Sequence, residues 1–408
     1  LSEQELIRRN SLKELINLGV NPYPADEFEV NVTAEEIHEN YPEKQQYEKI
    51  SIAGRIMSRR IMGAASFVEI KDPTSRIQLY VKRDDICPDE DKTLYNTVFK
   101  RLLDIGDFIG IDGVVFITKT DELTVKAENV TMLSKNLRPI PDVKEKDGEK
   151  YNSVSDKELR YRKRYLDMII NPETKDNYIK RFKIINSIRE FLNKNGYIEV
   201  ETPVLQPVYG GANAKPFKTF HHALDQEFFL RIATELYLKQ LIVGGFEKVY
   251  EMSKDFRNEG IDRSHNPEFT MLEAYQAYTD YRGMMELTQS LIQQVAERSL
   301  GTLQLERSEG DVIDLSGKWR EAKYKDLIID AVGRDDWFEL PKEVKLEKAK
   351  ELKIEVDPAL EDFEITNDVF EKVIEHTLIQ PTFVTHIPRE LCPLAKITES
   401  DSSTIDVF

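Results

Sequence analysis

Residues 256–273 read FRNEGIDRSHNPEFTMLE. Two arginines, one histidine and three glutamates are interleaved with Phe256, Phe269, Met271 and Leu272, which have the character of core. The flanks explain the mixture. KVYEMSKDF (248–256) alternates in part, and NPEFTMLEAYQAY (266–278) alternates throughout. A period of two places Glu268, Thr270, Leu272 and Ala274 on one face, and Phe269, Met271, Glu273 and Tyr275 on the other. The spacing predicts two antiparallel strands joined by NEGIDRSHN. Arg257 then lies at the end of the first strand, with Glu273 and Tyr275 on the same sheet surface. Charge projecting from a buried sheet is expensive unless a ligand or partner neutralises it. A surface hairpin laced with ion pairs satisfies the same periodicity, so the pattern alone leaves both readings open.

Working outward, the chain has 408 residues, which predicts two or three domains. Hydrophobic residues make up 40%, enough for a sizeable core. The net charge of −17 argues against a wholesale nucleic-acid binder but leaves room for local basic patches. Cys87 and Cys392 match no metal spacing, and a reduced, cytoplasmic setting is expected. The first residues, LSEQELIRRNSLKELI, hold no apolar stretch of signal-peptide type, and no run of about twenty apolar residues predicts a membrane span. The chain opens at Leu1 and stops at Phe408 in mid-pattern, which suggests a piece of a longer protein.

The amino-terminal third changes period twice. Ser2-x-x-Glu5 and Thr33-x-x-Glu36 read as capping boxes opening two helices. From Ile50, ISIAGRIMSRR, ASFVEI and RIQLYV read as three strands, residues 91–104 as a helix, and DFIGIDGVVFIT and LTVKAENVTML as two more strands. Five strands with a helix after the third is the order of an OB-fold barrel, and another small β-barrel is the alternative. RPIPDVKEKDGEK (138–150) reads as a linker. A long helix is predicted over Asn177–Asn195, with Gly196 just past its end, followed by a strand in YIEVETPVL. Residues 322–380 read as a charged, solvated helical insertion.

Taken together, GYIEVETPVL, ETPVLQPVYGGANAKPFKTFHHALD, FLRIATELYLK and FRNEGIDRSHNPEFTMLEAYQAYTDY resemble the class II aminoacyl-tRNA synthetases, and among them the lysyl enzymes. The first carries the likeness to motif 1, the last to motif 2. The resemblance runs over nearly the whole chain. It implies an α+β architecture: an amino-terminal OB-fold anticodon-binding domain over 1–137, a linker over 138–150, and an antiparallel catalytic sheet flanked by helices over 151–408. It implies that the protein joins L-lysine to ATP with loss of pyrophosphate and passes the lysine to the 3′ end of tRNA(Lys). ATP, Mg²⁺ and a homodimer come with it.

Carried over residue by residue, Arg257 binds the α-phosphate and the lysine carboxylate. Glu259 contacts adenine, His265 the outer phosphates, and Phe269 stacks on adenine, unless it is ordinary core. Glu235 and Tyr275 take the ε-ammonium. Glu273 takes the α-amino group, and Gly211 gives it a backbone contact. In the barrel, Phe67 stacks on an anticodon base, with Arg60 and Gln78 on the same face. Independently of the resemblance, residues 54–83 hold Arg55, Arg59, Arg60, Lys71, Arg76, Lys82 and Arg83 against Glu69 and Asp72, the composition of a basic strand face around an exposed Phe67. A core Phe67 is the alternative.

Two parts of the family pattern are not found: motif 3, with its second ATP-binding arginine, and the strand following LCPLAKITESDSSTIDVF that carries the Mg²⁺ ligands. No metal ligand is therefore expected within these residues, and a protein that ended at Phe408 is expected not to activate lysine. Aspartyl and asparaginyl enzymes are the nearest rivals, but their short substrates do not need Glu235 and Tyr275 together. A paralogue that lysylates an elongation factor lacks the OB domain. A degenerate, non-catalytic tRNA binder is the rival of another class, and retained Arg257, Glu259, His265 and Glu273 speak against it.

Overall fold

The structure is a computed structural model and describes residues 1–41, 49–141, 144–146, 149–151, 156–262, 264–308, 310–392 and 395–408. Of the expected 138–150 linker, residues 142, 143, 147 and 148 lie outside the described residues. The chain divides into two compact units, Leu1–Pro172 and Glu173–Phe408.

The first unit is built on a closed five-stranded barrel. Its strands are β1 (Ile50–Met62), β2 (Ala65–Lys71), β3 (Arg76–Lys82), β4 (Phe108–Ile117) and β5 (Leu123–Ser134), in the order β1-β2-β3-β5-β4. Inward alternation of Ile50, Ile52, Ile56, Val68, Ile70, Ile77, Leu79 and Val81 fills it. Helix α1 (Glu3–Asn17) and helix α2 (Ala34–Asn40) both open on reciprocal capping boxes, Ser2 with Glu5 and Thr33 with Glu36. Helix α3 (Leu94–Leu102) comes after the third strand and presents Tyr95 and Phe99 to the barrel core. An OB-fold is thus the architecture that the strand count and the helix position predicted.

The second unit supports its sheet from one side. Helix α4 runs over Pro172–Lys194, starting earlier than predicted, because Pro172 is acceptable in a first turn, where its missing N–H is not needed. Of the strand expected in YIEVETPVL, only β6 (Ile198–Glu199) and Leu205–Gln206 are extended pairs. Strand β7 (Lys248–Phe256) pairs parallel with β6 and antiparallel with β8 (Glu268–Gln276), in the order β8-β7-β6. Phe191 and Leu192 of α4, with Leu287 and Leu291 of the later helix over Tyr281–Leu300, pack on Tyr197, Tyr250, Leu272 and Ala274. One face of the sheet is therefore apolar and covered, and the polar residues of both strands are left to the other.

Residues 322–380 are not simply a solvated insertion. Tyr324, Leu327, Ile328, Val332, Val369 and Ile374 enclose a fully buried Trp337 in a core of their own. Even Lys345, expected in solvent, is buried, its ammonium 2.7 Å from Asp362 Oδ2 and 5.6 Å from the Trp337 ring centre. A long aliphatic stem lets a lysine cover apolar surface while its charge reaches the rim.

Candidate active site and nucleic-acid face

The two-strand register settles which side chains share a face. Glu251 lies opposite Glu273, Ser253 opposite Met271, and Asp255 opposite Phe269. Paired residues point the same way, so Glu251, Ser253, Asp255, Phe269, Glu273 and Tyr275 all rise from the side away from α4. The periodic assignment of Leu272 and Ala274 to one face and Glu273 and Tyr275 to the other is what the sheet does.

Arg257 stands just past the end of β7. Its N–H donates to Pro267 O at 2.9 Å, which closes the loop over 258–266. Its Nε donates to Ile232 O at 3.4 Å, and its guanidinium lies 5.1 Å over the Phe269 ring. Phe269 is half-buried, with one ring side given to that cation rather than to core. The guanidinium is thereby held beside the sheet, a planar fork suited to a carboxylate or a phosphate.

The acidic side is assembled from two elements. Glu273 Oε1 accepts from Thr234 N at 3.1 Å, and its Oε2 accepts from the Tyr275 hydroxyl at 3.0 Å. Thr234 immediately precedes helix α5 (Glu235–Val243), so the Glu273 carboxylate sits at the positive end of that helix. Glu235 opens α5 and accepts from Lys239 Nζ at 2.5 Å, while Lys239 lies 6.0 Å from the Tyr275 ring centre. Burial first, then the Glu273 and Glu235 charges, push the Tyr275 phenol far above its ordinary range, so it stays a neutral donor. Gly211 has φ +90°, and a Cβ there would lie 3.0 Å from Glu235 Cβ and 3.1 Å from Ala233 Cβ. Only glycine brings its backbone this close to Glu235.

The loop residues are placed differently. Glu259 Oε1 accepts from Lys215 N at 3.3 Å, so its side chain ties the loop to the 212–217 segment. His265 is exposed and hydrogen-bonded through Nδ1 to Asp262 Oδ2 at 2.8 Å. That bond is the main cause holding the Asp262 carboxyl below its usual range. The structure thus gathers Arg257, Phe269, Glu273, Tyr275, Glu235 and Gly211, and leaves Glu259 and His265 on the loop. Arg231, Glu251 and Asp255 were missed by reading the sequence. Their signal was a lone arginine inside the apolar run FFLRIA, facing two acids of a strand. Among the described residues no group of three or more His, Cys, Asp and Glu side chains is arranged to hold a metal ion.

On the barrel, a hollow of about 790 Å³ is lined by Arg60, Phe67, Gln78, Tyr80, Phe116, Lys119 and neighbours. Phe67 is half-buried and lies 5.2 Å from Tyr80, which lies 6.1 Å from Phe116. Gln78 Nε2 donates to Thr124 Oγ1 at 2.8 Å. Arg60 reaches this face through a bulge. Ile56 pairs with Ile70 and Ser58 with Glu69, so Met57 is the extra residue and Arg60 falls opposite Phe67. Phe67 belongs to the hollow and not to the barrel core, whereas Tyr80 and Phe116 extend the aromatic row beyond what the sequence suggested.

The expected basic strand face does not form. Arg55 donates to Gly106 O and lies 4.2 Å over Phe108. Arg59 donates to the carbonyls of Leu103, Phe99 and Lys100 at the end of α3. Arg76 pairs with Glu69, Lys82 with Asp85, and Arg83 with Asp84. Alternation and the bulge send these cations to different sides, and of the seven only Arg60 lines the hollow.

Residues 156–407 match the model of the class II tRNA synthetases (D, K and N), and residues 50–133 match the OB-fold nucleic acid binding domain. A lysine–tRNA ligase of Azobacteroides pseudotrichonymphae is 48% identical over 408 residues, the whole of this chain and 81% of that protein. One from Porphyromonas gingivalis is 49% identical over 399 residues, 97% of this chain and 68% of that protein. One from Christiangramia forsetii is 48% identical over 397 residues, 97% and 69% of the two.

Proposed function

The chain belongs to the class II tRNA synthetases of the D, K and N group, and from that membership and its site we infer that it is an enzyme that activates lysine with ATP and charges tRNA with it. The observation that carries the choice of lysine is the placement of Glu235, Glu273 and Tyr275 around one end of the sheet, with Arg257 at the other. Lysine carries two ammonium groups and one carboxylate. Carboxylates replace the hydration that each ammonium gives up, and the guanidinium takes the carboxylate.

In this reading Glu273 holds the α-ammonium against the Gly211 backbone. Glu235 and the Tyr275 hydroxyl hold the ε-ammonium, the substrate displacing Lys239 from Glu235. Arg257 aligns the lysine carboxylate with the α-phosphate of ATP, while adenine lies along Phe269 near Glu259, and His265 approaches the outer phosphates. A carboxylate oxygen then bonds to the α-phosphorus as the bond to the pyrophosphate oxygen breaks. Negative charge grows on the equatorial oxygens, where a fixed guanidinium is most effective. The 3′-terminal hydroxyl of tRNA attacks the lysyl carbonyl next and releases AMP. Magnesium accompanies ATP phosphates in such chemistry, and the described residues offer it no ready carboxylate cage.

The barrel hollow takes the anticodon, with Phe67 stacking on a base and Arg60 and Gln78 contacting the same strand. We assign these two tasks to the domains expected from the sequence, 1–137 and 151–408 with a linker over 138–150, whereas the compact units themselves divide after Pro172. Charging of tRNA places the work in the cytoplasm, and among the described residues no helix is long and apolar enough to cross a membrane. A homodimer accounts for Ile179 and Phe182 of α4, with Ile198 and Leu205, all apolar and all exposed. The deciding experiment is ATP–pyrophosphate exchange with each of the twenty amino acids. Lysine-dependent exchange is expected, and exchange driven by aspartate or asparagine instead would refute the assignment.

A further inference from the structure

Beside the site, on the same face of the sheet, lies a buried ionic clasp that none of these roles uses. We propose that Arg231, fixed between Glu251 and Asp255, is a positioning residue for lysine activation. The proposal rests on the lysine-activating role given above and extends it to a residue that touches no substrate.

The geometry carries it. Arg231, Glu251 and Asp255 are 4%, 4% and 0% exposed. One arm of the guanidinium donates to Glu251 Oε1 at 2.7 Å and to Thr202 O at 3.0 Å. Its Nε donates to Lys254 O at 2.9 Å and lies 3.3 Å from Asp255 Oδ1. Thr202 Oγ1 donates to the other oxygen of Glu251 at 2.7 Å. The backbone of the same residue is also committed: the Arg231 N–H donates to Val204 O, and the Arg231 carbonyl accepts from Phe256 N, both at 2.9 Å. Arg231 therefore joins three stretches of chain: 202–204, its own, and strand β7.

The residues directly after Arg231 form one wall of the lysine site. Ile232 O meets Arg257 Nε, Thr234 N meets Glu273, and Glu235 projects its own carboxylate. The clasp grips strand β7 just before Arg257, at Glu251, Lys254 and Asp255. The distance between that wall and the strand fixes where Glu235, which opens the helix after the wall, and the Thr234 N–H that orients Glu273 stand relative to Arg257 at the strand's end. Arg231 sets it. A fork with donors in several directions is required; a lysine ammonium keeps the charge but spans fewer of the acceptors. The charges matter too. Two carboxylates face one guanidinium, and Asp255 Oδ2 is buried without a hydrogen-bond partner. Burial raises the Asp255 carboxyl, which the Ser253 hydroxyl and then the Arg231 charge offset in part.

A buried ion cluster of this kind is also compatible with a purely structural role, since removing one partner strands the others. Two variants of the intact polypeptide separate the roles. Arg231→Lys retains the charge. The triple variant Arg231→Met, Glu251→Gln, Asp255→Asn removes all three charges, so no ion is left stranded. Exchange kinetics are measured with lysine and with ATP varied in turn, alongside thermal unfolding. In Arg231→Lys the lysine KM is expected to rise about tenfold, with the ATP KM within about threefold of the parent. The triple variant is expected to show a larger rise in lysine KM and a fall in kcat, and if it does not fold, Arg231→Lys decides alone. Lysine KM and kcat within about twofold of the parent in Arg231→Lys would overturn the proposal. An equal rise in both KM values, with an early unfolding transition, would overturn it as general loosening. Failure of the parent protein to exchange with lysine would instead overturn the function on which the proposal rests.

Discussion

In the proposed reaction Arg257 concentrates the chemistry, because one guanidinium would serve a carboxylate and a phosphate at once. Replacing it with alanine is expected to lower lysine-dependent exchange on the order of 10²-fold or more, the usual effect of losing one transition-state donor. Binding of tRNA should stay within a few-fold, since the anticodon contacts lie in the other unit; exchange close to the parent rate would refute the assignment. Glu235 and Glu273 line the same site but do different work. Glu235→Gln keeps the shape and removes the charge proposed to meet the ε-ammonium, which should cost about 1.5–3 kcal/mol of lysine binding, the worth of a charged hydrogen bond. The effect should appear in the lysine KM with the ATP KM unchanged. At Gly211 the constraint is steric. Gly211→Ala forces a Cβ to within 3.0 Å of Glu235 Cβ at a φ of +90°. It should weaken lysine without touching ATP, measured by the same two titrations.

Elements decide what individual residues could not. The bulge at Met57 is the clearest case, because strict alternation from Ile56 would turn Arg60 into the barrel. With the bulge, Arg60, Phe67 and Gln78 share a surface with Tyr80 and Phe116. Phe67→Ala is expected to weaken cognate tRNA binding by roughly 1–3 kcal/mol, the value of one stacked base, with lysine activation in the absence of tRNA unchanged. Loss of the barrel's folding in place of tRNA affinity would make Phe67 a packing residue. In the catalytic sheet, the Tyr250 hydroxyl lies 3.1 Å from both Asn193 Oδ1 and Glu199 Oε2. Burial, then Glu199, push its phenol up from 10.0 to about 12. A raised pKa means that the folded state favours the protonated form. The stabilisation is therefore complete below pH 10.0 and lost as pH rises towards about 12. Urea unfolding of the parent and Tyr250→Phe should differ by a constant amount below that window. The parent should then lose ground to the variant within it.

At the scale of the molecule, the proposed roles divide between the two compact units, anticodon recognition in the barrel and amino acid with ATP on the sheet. Ile179 and Phe182 of α4 are exposed apolar side chains that a second copy would cover. Light scattering at micromolar concentration should report a dimer. Phe182→Glu, which places a charge on a residue that is 58% exposed, should shift it towards monomer without unfolding the chain. A monomeric parent would contradict the dimer.

The sequence by itself determined the barrel, the two-stranded hairpin and the identity of the family, because each is written in local signals. Alternation with period two, capping boxes and the spelling of the Phe256–Glu273 stretch need no knowledge of distant contacts. Arg257, Glu273 and Tyr275 were legible for that reason: they belong to one hairpin, and its register comes from its pattern. Only the tertiary structure decided which cations are free to meet a ligand. The seven basic residues of 54–83 look alike in sequence, yet most are spent on carbonyls and carboxylates of other elements. It also revealed Lys345 beside a buried Trp337, and Arg231, just past a strand that ends at Leu230, clasping Glu251 and Asp255. Most of these contacts join residues far apart in the chain. Whether a buried charge is paired depends on which elements meet, and that is a property of packing that no local pattern encodes.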